Sequence, residues 1–477
     1  TVDKKPYTPP TIKRNSNSFL EKHCQGPVED PVDRIDGARI EDLVARFGSP
    51  LFVFSERKLR EKYREAHLAF STRYPRVQFA WSYKTNYLKA ICNVFHEEGS
   101  LAEVVSDFEY DKARNLGMRG DQIIVNGPYK PRDLLTRAVR ERAKIQIDNH
   151  QEIKALEEVA REQNRTVDVA IRVNMETGCD PPWSKFGFNY ESGEALLAMK
   201  RICTSENLRL VGLHGHIGTF ILDPTHYQVA VNKLITLLWG ARQQYGVDLE
   251  YINMGGGFAS CNTLHYQYLP GKEAAPSFQE YAEAICTTLL RDLPADMEQP
   301  PTLYLETGRA LVDEAGYLVT TVIDSRRMLT GRQAVIVDAG VNLLYTAAWY
   351  KLDIQPIHGS HAAPGSTTVY GPLCMNIDVI RDDVSLPPLT PGERLVIHPV
   401  GAYTITQSMQ FIEYRPAVVM VGCDGRVHVI RQRETLEHVE ALERLPEQAE
   451  VAPAAPLTPR TKRGKALADV VGSNHHD

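Results

Sequence analysis

The feature that most constrains this chain is a strand–helix alternation sustained over roughly 250 residues. Short apolar runs recur: LFVF (51–54), VQFAW (77–81), AEVV (102–105), QIIVN (122–126), IQID (145–148), VDVAIRVN (167–174), LVGLHGHIG (210–218), YINMGGG (251–257) and TLYLET (302–307). Between them lie stretches such as SERKLREKYREAHLAFSTRY and HQEIKALEEVAREQ, whose apolar residues repeat at helical spacing. Such repetition predicts an α/β fold with a parallel sheet covered by helices, and about eight units predict a (β/α)8 TIM barrel. Beyond residue 310 the texture changes. YLVTTVIDSRRML, QAVIVDAG, ERLVIHPVGAYTI, PAVVMVG and RVHVIRQRE are β-rich and predict a separate C-terminal β-sandwich or β-barrel domain. The expected organisation is a flexible lead-in over 1–30, a segment over 31–50 joining the β-domain, the barrel over 51–310, the β-domain over 311–435 and a flexible tail over 447–477.

Composition narrows the function classes. The 477 residues are too many for one simple domain and suffice for two or three with real cores. A net charge of −6 gives nucleic-acid binding no support, and no apolar run reaches the ~18 residues of a membrane helix. The polar, proline-bearing N-terminus lacks the apolar stretch of a signal peptide. The eight cysteines (24, 92, 179, 203, 261, 286, 374, 423) form no CxxC and take no zinc spacing with histidine, so reduced thiols in a cytoplasmic protein and no metal centre are expected. The closing His-His pair is too short a cluster for a metal site.

In a (β/α)8 barrel the chemistry sits at the C-terminal strand ends. Lys84, Glu103, His216, Gly255, Gly256, Gly257, Glu306 and Arg309 all fall there. Each has a plain structural reading. Lys84 could snorkel to solvent, the histidines of HGHIGT could be core groups, the glycines could serve a turn, and ETGR could form a surface ion pair. Together, in this order, they suit one cofactor, pyridoxal 5'-phosphate. It needs a lysine for a Schiff base, a phosphate cradle, an acid facing the pyridine nitrogen and a flat group over the ring. A lysine buried at a strand end can also give up its proton and become nucleophilic.

With WSYKTN (81–86), AEVVSDFEY (102–110), NGPYK (126–130), HGHIGT (214–219), NMGGGF (253–258), ETGR (306–309), VDAGVN (337–342), GPLC (371–374) and GAYT (401–404) in one order, the chain resembles the fold-type III pyridoxal-phosphate decarboxylases of the alanine-racemase-like barrel group, which act on diaminopimelate, ornithine and arginine. The resemblance implies that Lys84 bonds the cofactor aldehyde, with Glu103 nearby, that His216 stacks on the ring and that Glu306 pairs with its nitrogen. It implies a phosphate site of Gly255, Gly256, Gly257, Thr219, Arg309 and Tyr403. It also implies a homodimer with shared active sites, in which Cys374 reaches the partner's reacting carbon and returns a proton after CO2 leaves. The segment SKFGF, in the loop over 179–188, resembles a family segment beside the pocket.

Departures fall at the substrate-reading positions. Where diaminopimelate decarboxylases continue GPLC with Glu-Ser-x-Asp, this chain has Met375, Asn376, Ile377 and Asp378. Thr346 replaces an arginine that would read a distal carboxylate, and Tyr350-Lys351 replaces Tyr-Asp. ETGR carries Thr307 for the usual proline. A buried substrate cation without a carboxylate partner is heavily penalised. The expected substrate is therefore an amino acid or amino-acid conjugate with a neutral or anionic distal group, such as a citrate- or acyl-linked amino acid of siderophore or other secondary metabolism. The alternatives are a meso-diaminopimelate decarboxylase making L-lysine, an amino-acid racemase, a non-catalytic regulatory relative, and an unrelated binding protein.

Overall fold

A computed structural model describes residues 30–446, so the expected tail and all but the last residue of the expected lead-in lie outside the described residues. Eight parallel strands follow one another around a barrel: Val77–Ser82, Leu101–Val104, Ile123–Val125, Lys144–Ile147, Val167–Asn174, Leu208–His214, Tyr251–Asn253 and Thr302–Leu305. The last pairs back with the first, Leu303 to Val77 and Leu305 to Phe79, which closes the ring as the alternation predicts.

The intervening helices start where the sequence supplies caps. Ser55, Ser106, Asn149 and Ser277 each accept a hydrogen bond from a backbone N–H three residues on. Helix Glu56–Ser71 buries Leu59, Tyr63, Ala66, Ala69 and Phe70, one apolar face at helical spacing, and the rings of Tyr63 and Phe70 meet Phe79 of the first barrel strand. Inside the barrel, Ala80, Ile124, Ala170, Val211, Tyr251 and Tyr304 form an apolar cluster separate from the helix-side core.

The second sheet is ordered Val379–Leu386, Gly365–Tyr370, Gln333–Val337, Gly316–Arg327, Leu51–Ser55, Val418–Val421 and Val427–Arg431, with Arg394–His398 also on Gly316–Arg327 and Asp353–Pro356 beyond it. This corrects one expectation. The run at 51–54 does not open the barrel; it lies between Gly316–Arg327 and Val418–Val421. All five residues of Leu51–Ser55 are buried, and a fully buried strand reads as one apolar run in either sheet. Ile35, Ile40, Leu43 and Val44 pack with Leu51, Val53, Tyr317 and Val319 in the core of that sheet. The described residues from Thr435 onward belong to a small second unit and include helix Leu436–Glu440. Among the described residues no helix is long and apolar enough to cross a membrane.

Candidate active site

Lys84 sits in the short turn Tyr83–Thr85 just past the first barrel strand. The register between the first two strands sets Ser82 opposite Glu103. The Lys84 ammonium therefore reaches Ser82 Oγ and Glu103 Oε2, each at 2.8 Å, and Ser82 Oγ donates to the same carboxylate oxygen at 2.5 Å. Glu103 is buried, and the Lys84 amine is set against it while 37% of the lysine side-chain surface stays open. Burial favours loss of the Lys84 proton. The Glu103 charge, with Tyr403 and Glu306 behind it, outweighs burial and holds the ammonium above the ordinary lysine range. Burial alone thus does not free this nucleophile. The ion pair keeps it protonated, and a proton must leave before the nitrogen can attack a carbonyl. Burial pushes Glu103 up, but Lys84, Ser82 and Asn126 together hold it below the usual carboxylate value.

A carboxamide ties this pair to a second acid. Asn126, after the third barrel strand, donates through Nδ2 to Glu103 Oε1 at 3.0 Å and to Glu306 Oε1 at 2.7 Å. Asn253 donates to the same Glu306 oxygen at 2.6 Å, and His214 Nε2 stands 4.0 Å from Glu306 Oε2. Burial, then repulsion from Glu103, pushes Glu306 up to about 7. Asn126, Asn253 and His214 lie within NGPYK, NMGGGF and HGHIGT, yet residue type alone assigned them no role. Their signal is position, each at the end of a barrel strand. Arg172 gave no motif at all. It is buried, 3.7 Å from Asp148, with its guanidinium 4.3 Å from the Phe186 ring centroid.

His216 Nδ1 accepts from the Gly256 N–H at 3.3 Å, and Trp183 meets its ring edge-on at 5.1 Å. Burial, with Arg172 and Lys84 adding, drives its pKa far down, so the imidazole is neutral. The loop over 179–188 is tied across this mouth, since Asn174 Nδ2 donates to the Trp183 and Phe186 carbonyls at 2.8 and 2.9 Å. The glycines allow three strand-end loops to converge. A Cβ on Gly255 (φ +64°) would lie 2.7 Å from His216 Cβ, one on Gly256 2.5 Å from the Glu306 carbonyl, and one on Gly257 (φ +100°) 2.5 Å from the Gly218 carbonyl. Gly256→Ala is accordingly expected to lower stability by about 1–3 kcal/mol and to weaken cofactor binding, measured by thermal unfolding and cofactor titration.

Arg309 opens the short helix Arg309–Val312 and is buried. Its guanidinium donates to the Tyr350 hydroxyl and, at 3.1 Å, to Thr219 Oγ1. The rings of Phe220, Trp349, Tyr350 and Tyr403 surround it, Tyr403 nearest at 4.8 Å. Its hydrogen-bond partners are hydroxyls, and the nearby Asp313 carboxyl is held by Ser260 and Asn262, so the guanidinium keeps donors for an anion. Tyr403 reaches the site in a left-handed conformation (φ +64°), its N–H on the Thr85 carbonyl at 2.8 Å.

The structure thus gathers Lys84, Glu103, His216, Thr219, Gly255, Gly256, Gly257, Glu306, Arg309 and Tyr403 around one barrel mouth. The expected substrate residues are more scattered. The Tyr350 hydroxyl is engaged by Arg309. Thr346, one turn earlier, is buried with a partnerless hydroxyl, and the Lys351 N–H is held by the Thr263 carbonyl at 2.8 Å. Cys374 stands exposed beside half-buried Met375 on a turn fixed by Asp378, whose carboxylate accepts from the Val341 and Leu373 N–H groups, each at 2.8 Å.

The donor set fits pyridoxal phosphate: an amine at the mouth, a buried carboxyl near neutrality across it, a neutral imidazole, and an arginine whose hydrogen bonds go to hydroxyls, beside a glycine turn. Partnerless buried atoms at His214 Nδ1, Asn126 Oδ1 and an Arg172 nitrogen leave further hydrogen-bonding capacity there. Fold and site together define a barrel enzyme built on that cofactor.

Comparison with known proteins narrows the class. The family model for the pyridoxal-binding domain of pyridoxal-dependent decarboxylases matches residues 57–313. The diaminopimelate decarboxylase of Methanothermobacter thermautotrophicus is 32% identical over 84% of this chain and 93% of its own length, and that of Bacillus subtilis 29% identical over 83% and 92%. The solved diaminopimelate decarboxylase from M. jannaschii in co-complex with L-lysine superposes with a TM-score of 0.78 at 28% identity, covering 88% of this chain and 97% of that one. The chain belongs to the pyridoxal-dependent decarboxylases, and it is a pyridoxal-phosphate-dependent carboxy-lyase.

Proposed function

We propose that the chain removes the α-carboxylate of an amino acid or amino-acid conjugate whose distal group is neutral or anionic. The observation that carries the substrate reading is Asp378. It is the only acid left in the MNID turn, it is 1% exposed, and its carboxylate is occupied by two backbone N–H groups. With Met375 and Lys351 at the other two positions, these three sites offer no free carboxylate to a distal ammonium. A citrate- or acyl-linked amino acid of siderophore or other secondary metabolism meets that requirement.

Bound pyridoxal phosphate supplies an aldehyde for the substrate amine and a ring that accepts electrons when CO2 departs. This chain's residues do the rest. Lys84, once its proton has left, would bond the cofactor aldehyde, and Glu103 and Ser82 would orient its nitrogen. Glu306, near neutrality and fixed by Asn126 and Asn253, holds a proton at the ring nitrogen. Neutral His216 covers the ring face without placing a cation beside it. Arg309, Thr219 and the glycine turn hold the phosphate, and Tyr403 flanks it. Cys374 of a second copy would stand where a proton can be returned to the α-carbon, and Lys84 would lie beside the cofactor aldehyde to reclaim it.

A second reading, decarboxylation of diaminopimelate to lysine, is favoured by the names of the relatives above. A panel of diaminopimelate, ornithine, lysine, arginine and a citryl amino acid, assayed for CO2 release, separates the two. Efficient turnover of the conjugate alone is expected, and efficient turnover of diaminopimelate would overturn the substrate reading.

A homodimer with shared sites is part of the same proposal. Cys374 is exposed, as are Ile377 on the same turn and Tyr345, Tyr266 and Tyr268. Mixing inactive Lys84→Ala chains with inactive Cys374→Ala chains is expected to restore up to about a quarter of wild-type activity, because random reassociation gives half mixed dimers with one intact site in two. No recovery on mixing would show that each chain completes its own site.

A further inference from the structure

At the end of the barrel opposite Lys84, where the strands begin, a cavity of about 240 Å³ is bounded by Arg76, Arg142, Lys144, Asp168, Glu250 and Tyr251. It takes no part in the chemistry above. Its charges do not cancel. Arg209 grips Asp168 through two bonds of 2.7 Å and also holds Glu250 at 2.8 Å. One guanidinium shared by two carboxylates leaves a single negative charge against three cations. The hydrogen bonds of Arg76 and Lys144 go to neutral acceptors, while Lys144 also feels the charges of Asp121, Glu250 and Asp168. Arg76 donates to Gln299 Oε1 at 2.8 Å and the Pro300 carbonyl at 3.3 Å, and Lys144 to the Asp121 carbonyl at 3.0 Å. The Arg142 guanidinium makes no hydrogen bond or ion pair with any described residue.

Two further observations point to an occupant. The Tyr251 hydroxyl is buried without a partner, although Tyr251 lines the cavity and is only 4% exposed. Buried hydroxyls normally find a partner, so this one marks unused donor capacity. Arg142 follows helix Arg132–Glu141 in the left-handed conformation (φ +61°) that glycine adopts most readily. The chain places an unpaired cation at the cavity where the backbone would accept a glycine more easily.

We propose that this cavity binds a small polyanion, a phosphate ester or a polycarboxylate, held by Arg142 and Arg76 and receiving a hydrogen bond from the Tyr251 hydroxyl. Two arginines without an ion-pair partner among the described residues, beside a buried donor, suit an oxyanion, and the volume limits it to a small metabolite.

The test is calorimetric titration of the cofactor-loaded enzyme with inorganic phosphate and, separately, with citrate, at constant ionic strength. Saturable binding of at least one probe is expected at millimolar concentration or below. Phosphate binding points to a phosphate ester, and citrate binding alone points to a polycarboxylate. Arg142→Gly removes the guanidinium while relaxing the backbone, so the fold persists, and affinity should fall about tenfold. Tyr251→Phe should weaken binding as well. Absence of saturable heat with both probes would overturn the proposal. So would binding that Arg142→Gly leaves unchanged, since that places the anion elsewhere.

Discussion

Lys84→Ala is expected to cut decarboxylation by at least about a thousandfold and to abolish the visible absorbance that borohydride removes from the cofactor-loaded enzyme. The size follows from the site. Lys84 is the amine at the barrel mouth, and its neighbours Ser82, Glu103 and Asn126 supply only oxygens and a carboxamide. The alanine variant also strips Glu103 of its cation, leaving a buried carboxylate bridged through Asn126 to Glu306, so it should unfold at a lower temperature. Lys84→Arg separates the two effects. A guanidinium can keep the charge beside Glu103 but cannot bond the aldehyde, so stability should recover while turnover does not. Turnover near the wild-type rate in either variant would overturn the assignment of this residue.

Glu306→Gln should lower kcat by about 10²–10³ while making the cofactor-free protein more stable at pH 8. The loss reflects removal of the charge that holds a proton at the ring nitrogen. The gain follows from proton linkage. Burial and the Glu103 charge raise the folded carboxyl from 4.5 to about 7. Below the unfolded value both states are protonated and the group is neutral to stability. Between about 4.5 and 7 the unfolded chain releases its proton first, and wild-type stability drains away as pH rises through the folded value. Glutamine keeps an oxygen for Asn126 and Asn253 and carries no charge to bury. The variant should therefore exceed wild type by about 1–3 kcal/mol at pH 8, with the difference gone below the unfolded value. Denaturant unfolding at several pH values measures it. An active variant, or one no more stable at pH 8, would contradict this account of Glu306.

Both predictions rest on residues that the sequence marks by type and place. Lys84, Glu103, His216, the three glycines, Glu306 and Arg309 stand out because each combines chemistry with a strand end, and the barrel brings strand ends together. Asn126, Asn253 and Arg172 do not stand out. Neither an asparagine after a strand nor an arginine inside VDVAIRVN carries a chemical signal by type alone. Their role appears only when loops distant along the chain meet, as when Asn126 and Asn253 converge on one oxygen of Glu306. Tyr350 shows the reverse. Its place in the chain suggests a substrate contact, yet folding spends its hydroxyl on Arg309.

The amino-acid sequence by itself settled the barrel, the following β-domain and the cofactor chemistry. Local periodicity and strand-end residue types survive in one dimension, because hydrophobic burial imposes the same pattern wherever a strand or helix packs. Tertiary structure decided where the strand at 51–55 belongs, which carboxyl sits near neutrality and that the Asp378 carboxylate is occupied by backbone N–H groups. Sheet membership, proton affinity and hydrogen-bond occupancy depend on neighbours far apart along the chain, and a residue's type carries no record of them.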